Sequence, residues 1–283
     1  MLRWLIALTA LVLLSACAQF HRPLAPESRA RIKEVDVRVV VAQESFMFSA
    51  QSPGVSAALG GGLIPALIDA SVQQSRQKAM ATEVQATVGP LLNFDYRAEG
   101  SLALEGIKAD GAFPLKVRSA SLLAGLPKKD HQASIAATAS GPAYMLLMVH
   151  YALEPGLGAF TTRSTALLWQ DGNTEPSYRV AAIFQAPLET GSRAEVVQRL
   201  TANEGELLRS TMQASMTETL RMVALDLSAP PAAAKTSAKA GSSRLNFNGI
   251  WTPLATTQVD AKASRTIVRD PSGALYSLVE KKQ

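Results

Sequence analysis

The side chains that could bind a metal ion or a cofactor are few and lie far apart in the sequence. The histidines are His21, His131 and His150, and Cys17 is the only cysteine. A zinc site needs a cluster of such ligands at suitable spacing. The sequence therefore predicts no metal site and no cofactor. His150 lies inside an apolar run and is expected to be a structural histidine.

Ser75 and Lys78 have the Ser-x-x-Lys spacing, in which a lysine can activate a serine nucleophile. This spacing resembles a motif of penicillin-binding proteins and serine β-lactamases. However, the chain has no Ser-Asp-Asn, and Lys235-Thr236-Ser237 lacks the glycine of their Lys-Thr-Gly strand. Because a four-residue match arises readily by chance, the pair is predicted to lie on an exposed helical turn. The sequence thus predicts that the protein is not an enzyme, and a hydrolase using this pair is the weakest alternative.

The thiol of Cys17 follows an apolar N-terminal run. Residues 5–14 are apolar except for Thr9, and Arg3 is the only charge before them. A basic start, an apolar core and a small-residue cleavage site are typical of a secretory signal. The core is shorter than the roughly 20 residues that span a bilayer, so residues 1–16 are predicted to be a removed signal peptide. The alternative is that Cys17 is a small apolar residue ending an ordinary signal or an N-terminal membrane helix.

The residues around the cleavage point, Leu14, Ser15, Ala16 and Cys17, resemble the lipobox of bacterial lipoproteins. The resemblance implies diacylglycerol on the sulfur of Cys17, cleavage before it and acylation of the new amino terminus. Lipidation would also remove a lone thiol, which is a liability in an oxidising compartment. In that family the residue after the cysteine sorts the protein. Ala18, in place of Asp, implies the outer membrane, on its periplasmic face, rather than the inner membrane.

The composition is that of a folded protein with a basic tail. The chain has 283 residues, of which 47% are hydrophobic, and this fraction supports a packed core. Its formal net charge of +5 resides in residues 228–283, which contain eight Lys/Arg and three Asp/Glu. A solvated tail is the favoured interpretation, and contact with anionic lipid or cell-wall polymer is the alternative. Nucleic acid is not an expected partner of an envelope protein.

Residues 34–227 are predicted to form one α+β domain. The alternating valines of residues 34–42 predict a half-buried strand. Residues 143–153, 159–170 and 177–185 predict three more strands. Because only short turns join these three, they are expected to form an antiparallel meander.

Helices are predicted from apolar spacing and from capping signals. Residues 82–109 have apolar residues at nearly helical intervals. Ser192 with Glu195, and Asn203 with Glu206, have the spacing of capping boxes. The second box is expected to begin a long helix whose apolar face consists of Leu208, Met212, Met216, Leu220, Val223 and Leu227.

The remaining segments are predicted to be irregular or peripheral. Residues 17–33 suit a tether, residues 127–130 an exposed turn and residues 228–243 a linker rich in Ala, Pro, Lys and Ser. Residues 244–283 are expected to contain short strands at 245–251 and 265–279, the latter folded as a hairpin around an Asp-Pro-Ser-Gly turn. A lone hairpin is marginal in water, so this one is expected to dock on the main sheet.

A glycine-rich apolar stretch precedes the predicted helices. It consists of Gly60, Gly61, Gly62, Leu63 and Ile64. The glycines give a flexible break, and the apolar residues that follow have helical spacing. Two interpretations stay open. The stretch is either a loop leading into a core helix, which the spacing favours, or an exposed element that contacts a membrane or a partner.

The order of elements over residues 34–227 resembles that of uncharacterised proteobacterial envelope lipoproteins. The quoted features are a valine strand, a glycine-rich Leu-Ile-Asp-Ala helix, a Tyr-bearing strand, a Trp-Gln-Asp-Gly turn and a long final helix. The layout also resembles the amino-terminal domain of TolB-type periplasmic proteins. Neither resemblance implies a catalytic residue.

Taken together, these patterns predict an α+β fold, with a mixed, largely antiparallel sheet covered by helices and a C-terminal β-hairpin after a linker. The predicted function is that of a lipid-anchored, non-catalytic lipoprotein of the outer membrane, which binds or scaffolds an envelope protein in the periplasm. A module that binds lipid or cell-wall polymer directly is the alternative.

Overall fold

A computed structural model describes most of the chain after its first 20 residues. The described residues are 21–41, 43, 47–48, 89–109, 113–154, 157–188, 191–229, 240–247, 250–262 and 264–279. The lipobox at 14–17, the glycine-rich stretch at 60–64 and the pair Ser75 and Lys78 lie outside these residues. The predictions made for them therefore stay predictions.

The described residues form five α-helices, two 3-10 turns and ten strands. The helices are α1 Pro26–Arg31, α2 Tyr96–Ala109, α3 Lys128–Ala137, α4 Arg193–Thr201 and α5 Glu206–Ser228, and the 3-10 turns are Gly89–Asn93 and Asn203–Gly205. The strands are β1 Glu34–Val41, β2 Met47–Phe48, β3 Lys116–Leu123, β4 Ala143–Leu153, β5 Ala159–Trp169, β6 Tyr178–Pro187, β7 Ala240–Phe247, β8 Ile250–Lys262, β9 Arg265–Arg269 and β10 Leu275–Val279.

All ten strands belong to one mixed sheet. Their order is β3-β1-β4-β5-β6-β10-β9-β8-β7, and β2 pairs with the end of β4. β4, β5 and β6 form the predicted antiparallel meander. β1 runs parallel to both of its neighbours, β3 and β4. The predicted α+β class, with a mixed sheet covered by helices, is confirmed.

One face of the sheet packs against α2, α4 and α5 and forms the main core. Alternate residues of β1 point into this core, so Val35, Val37 and Val39 are almost fully buried. The predicted apolar face of α5 is confirmed. Its buried members include Leu208, Met212, Met216, Leu220, Val223 and Leu227. Among the described residues, no helix is both long enough and apolar enough to cross a membrane.

The opposite face of the sheet has a smaller apolar cluster under α3. Ile135 of α3 packs there with Tyr144 of β4 and Trp169 of β5. Farther along β4, β5 and β6, this face consists of half-buried and exposed side chains, which we call the open sheet face. Its members are Met148, His150, Arg163, Thr165, Ala181 and Ile183.

The exposed turn predicted at residues 127–130 is wrong, because α3 begins there. Pro127 occupies the position before the helix, and proline is compatible with a helix start. None of the residues of α3 is fully buried. The sequence of α3 therefore lacks the apolar periodicity from which helices are predicted.

The first predicted capping box is confirmed and the second is wrong. Both hydrogen bonds of the box join Ser192 and Glu195 at the start of α4. Asn203, in contrast, lies in a 3-10 turn with a φ of 51°, and Gly205 directly precedes α5 with a φ of 78°. Glu206 is thus the first residue of α5 rather than its third, and it is too early to close a capping box.

The C-terminal segment is more extensive than its sequence predicts. β7 begins at residue 240, inside the range 228–243 assigned to a linker. The single strand expected at 245–251 is wrong, because this range covers the end of β7 and the start of the 13-residue strand β8. The predicted hairpin is confirmed as β9 and β10. It docks on the main sheet as expected, because β10 pairs in parallel with β6.

Candidate functional site

The candidate site lies at the end of the sheet where β1, β3, β4, β6 and β10 begin. The pairs Val35–Ala143 and Tyr144–Trp169 place the start of β4 beside the start of β1 and the end of β5. We call the charged side chains at this end, which are exposed apart from the half-buried Glu34, the basal surface. They are Arg22, Glu27, Arg31, Lys33, Glu34, Lys116, Asp171 and Glu175.

The N-terminal segment from residue 21 onward is docked on this end of the domain. The N–H of Arg22 donates to the carbonyl of Arg179 at 2.8 Å, and the N–H of Arg179 donates back at 2.9 Å. Nη1 of Arg22 also donates to the carbonyl of Pro176 at 2.7 Å. Leu24 is only 2% exposed. The sequence prediction of a tether extending to residue 33 is therefore wrong for residues 21–33, because a buried leucine and backbone bonds hold them.

A buried ionic cluster fixes the first described residue. Nε2 of His21 lies 3.1 Å from Oδ2 of Asp226, near the end of α5. Arg269 of β9 donates to the other carboxylate oxygen of Asp226. Only 2% of the Asp226 side chain is exposed. The cluster therefore joins the N-terminal segment, the last helix and the C-terminal hairpin.

The carboxylate of Asp226 is the anion of this cluster. Burial alone would raise its pKa, but the hydrogen bond from His21 and the positive charge of Arg269 outweigh burial. They hold the pKa of Asp226 below its ordinary value of 3.8. Burial and the neighbouring Asp226 carboxylate raise the pKa of Tyr178 well above 10.0. Asp226 therefore stays charged and Tyr178 stays neutral at neutral pH.

Helix α1 adds a second attachment at the same end. Nη1 of Arg29 donates to the carbonyl of Ser228 at 3.2 Å, and Nη2 donates to that of Ala229 at 3.1 Å. A cation that binds the last carbonyls of a helix is favoured by the helix dipole. Arg31 forms an ion pair of 3.1 Å with Asp171 in the turn between β5 and β6.

A shallow cleft of about 460 Å³ opens on the basal surface. Charged side chains that line it include Arg31, Lys33, Glu34, Lys116 and Asp171. Nζ of Lys116 lies 2.6 Å from Oε1 of Glu34, and this hydrogen bond and charge lower the pKa of Glu34. Lys33 has no ion pair with any described residue. Lysine and arginine side chains placed in this way bind phosphate groups.

The three histidines occupy separate environments. His21 is in the ionic cluster, and His150 is exposed on the open sheet face opposite Arg163. His131 packs edge-on against Trp169, with ring centres 5.1 Å apart, and burial lowers its pKa. The described residues contain no group of three or more His, Cys, Asp or Glu side chains that could hold a metal ion.

Sequence reasoning missed His21, Arg22 and Asp226 as residues of a site. His21 and Asp226 are 205 positions apart, and neither belongs to a local motif. One signal in the sequence was Asp226 itself, a carboxylate near the end of the apolar face of α5. An acidic residue there needs a nearby cation.

Comparison with known proteins gives a weak structural similarity. No family model matches the chain, and no curated protein matches it. A solved structure of a DUF330 family protein from Xanthomonas campestris is similar with a TM-score of 0.32 and 8% identity. The similarity covers 73% of this chain and 87% of that protein.

Proposed function

We propose that this protein is a lipid-anchored lipoprotein of the bacterial envelope, which binds or scaffolds another envelope component and has no catalytic activity. The observation that carries the proposal is Cys17, the only cysteine, at the end of a complete secretory signal layout. Diacylglycerol on the sulfur and an acyl chain on the amino group would hold the protein firmly. Each buried methylene contributes roughly 0.8 kcal/mol.

The docked N-terminal segment supports this proposal. A lipid anchor fixes the position of a domain relative to the membrane only when the residues that follow the anchor are attached to that domain. Here His21 and Arg22, the first described residues after Cys17, are bonded to Asp226 and Arg179. The anchor would therefore hold the domain itself close to the membrane, rather than at the end of a long tether.

The outer membrane, on its periplasmic face, is the proposed location because Ala18 follows the lipidated cysteine. The proposed partner is an envelope protein, and the open sheet face is the surface offered to it. Met148 and Ile183 are half-buried there and leave apolar area exposed beside Arg163. Apolar surface next to a positive charge is typical of protein interfaces.

Direct binding of lipid or cell-wall polymer is the second candidate function. The observation that favours it is the cleft on the basal surface, where Lys33 lies near Arg31 and Lys116 without an ion pair to a described residue. Purified cell-wall polymer and lipid vesicles, each mixed with the unlipidated domain, separate the two candidates. Sedimentation of the domain with either one supports direct binding.

Metabolic labelling with a fatty-acid analogue tests the proposed anchor. Cys17→Ala is expected to abolish the label and leave the chain uncleaved or soluble, because the acceptor sulfur is gone. Ala18→Asp is the matched control, since it keeps the acceptor and changes only the sorting residue. It is expected to retain the label and move the protein to the inner membrane fraction. Undiminished label on Cys17→Ala would contradict the proposal.

A further inference from the structure

We infer that the basal surface lies directly on the phospholipid headgroups of the membrane that holds the lipid anchor. This inference rests on the proposed lipidation of Cys17 and adds an orientation to it. It follows from the point at which the chain becomes attached to the folded domain, and from the side chains at that end.

The reach of the anchor is short. Residues 18–20 are the only ones between Cys17 and His21. Consecutive Cα atoms are about 3.8 Å apart, so the Cα of His21 lies at most about 15 Å from that of Cys17. By the same measure, a free tether extending to residue 33 would allow roughly 60 Å. The domain is thus held against the membrane, whereas the predicted tether would have let it move freely above it.

The attachment of His21 to the domain is strong enough to define an orientation. Its ring reaches Asp226, whose side chain is 2% exposed, and the next residue forms two backbone bonds with Arg179. Leu24 is buried three residues later. These contacts join the anchored end to α5, β6 and β9, so the end of the sheet that carries them must be the end nearest the lipid.

The charges of the basal surface are balanced, so the anchor rather than long-range attraction brings this surface to the membrane. Two of its four cations, Arg31 and Lys116, are paired with Asp171 and Glu34. Arg22 and Lys33 form no ion pair with a described residue. Nη1 of Arg22 is used in its bond to the carbonyl of Pro176. At the short distance set by the anchor, the other guanidinium nitrogens of Arg22 and the ammonium of Lys33 bind lipid phosphates, as arginine and lysine do at membrane interfaces.

The opposite end of the sheet provides an internal comparison. β8 ends at Lys262, which pairs with Arg265 at the start of β9. Arg265 in turn pairs with Val279 at the end of β10, and its Nη2 donates to the carbonyl of Gln185 near the end of β6. Because β6 and β10 begin at the basal end, the exposed Lys262 lies at the end far from the anchor. The proposed orientation protects Lys33 and leaves Lys262 accessible.

Acetylation of surface lysines, read by mass spectrometry, tests the orientation. The chain from Cys17 onward is coupled through its thiol to maleimide-phospholipid in vesicles of phosphatidylethanolamine and phosphatidylglycerol. Lys33 and Lys116 are expected to react severalfold more slowly than in the uncoupled chain, and Lys262 at an unchanged rate. Equal reactivity of all three lysines, or protection of Lys262, would overturn the inference.

A long Gly/Ser insertion between residues 20 and 21 is the matched control. The insertion keeps every contact of the domain and lengthens only the chain between the anchor and His21. The reactivity of Lys33 and Lys116 is therefore expected to return to that of the uncoupled chain. Protection that persists in this variant would show that surface affinity, not reach, holds the domain, and would refute the inference.

The natural protein, isolated from membranes, completes the test. If it carries no lipid on Cys17, the proposed function fails, while the coupled chain still tests the orientation. If it carries the lipid and Lys33 is fully reactive in vesicles, only the orientation fails.

Discussion

At the scale of single residues, Asp226 joins the two ends of the chain to the last helix, and no sequence motif predicts these contacts. Its two oxygens bind His21 from the N-terminal segment and Arg269 from the C-terminal hairpin. A histidine in a polar N-terminal stretch gives no hint of such a contact. His21 is 205 positions from Asp226, and Arg269 is 43 positions from it, so local residue patterns carry no information about these contacts.

Asp226→Asn is expected to destabilise the domain by about 3 kcal/mol, because removing one partner of a buried pair leaves Arg269 and His21 without their anion. Asp171→Asn is the matched control. It alters an ion pair with Arg31 in which both side chains are largely exposed, so the expected loss is under about 1 kcal/mol. Urea unfolding at neutral pH measures both. Equal losses for the two variants would contradict the role assigned to Asp226.

The same residue predicts a dependence of stability on pH. The pKa of Asp226 in the folded state lies below its ordinary value of 3.8. Its contribution to the free energy of unfolding is therefore fully present above pH 3.8 and is lost as the pH falls through the lower, folded-state value. The difference in stability between the wild type and Asp226→Asn is expected to shrink in this acidic range. A constant difference would show that the carboxylate charge is not what stabilises the cluster.

At the scale of elements, sequence patterns correctly predicted the features that depend only on residues close together in the chain. The box of Ser192 and Glu195 and the apolar face of α5 are short-range features, and both are confirmed. α3 was missed because none of its residues is fully buried, so its sequence has little apolar periodicity. The second box was misplaced because Asn203 and Glu204 adopt left-handed backbone angles, which the spacing of residue types does not reveal.

Gly205→Ala tests the junction between α4 and α5. Gly205 has a φ of 78°, and a Cβ atom there would overlap the ring of Phe94. The substitution is expected to cost about 2 kcal/mol or more, from left-handed strain and the steric overlap. Gly125→Ala is the control, because a Cβ at Gly125 meets no described atom within 4 Å. Thermal unfolding compares them, and an unchanged melting temperature for Gly205→Ala would contradict this description of the junction.

Met216→Asp tests the assignment of α5 to the core. Met216 is 0% exposed, and Met212, one turn earlier, is equally buried, so Met212→Asp is expected to behave in the same way. An unpaired buried charge costs several kcal/mol, comparable with the whole stability of about 5–15 kcal/mol of a domain. Ala214→Asp places the same charge on the exposed side of this helix and is expected to fold normally. Circular dichroism of all three variants decides, and a folded, stable Met216→Asp would show that the face is not core.

At the scale of the whole molecule, the fold class was predictable and the arrangement of the strands was only partly so. The meander of β4, β5 and β6 follows from short turns between strands. The parallel position of β1 between β3 and β4 does not, because it pairs segments more than 80 residues apart. The site was missed for the same reason. The basal surface is assembled by strand pairing and by the docking of the N-terminal segment.

The central claim, that the protein is anchored by lipid on Cys17, is tested most directly by the mass of the N-terminal peptide of the mature protein isolated from membranes. The prediction is a peptide that begins at Cys17 and carries diacylglycerol on its sulfur and an acyl chain on its amino group. A peptide with an unmodified Cys17 thiol, or a chain that still begins at Met1, would contradict the account.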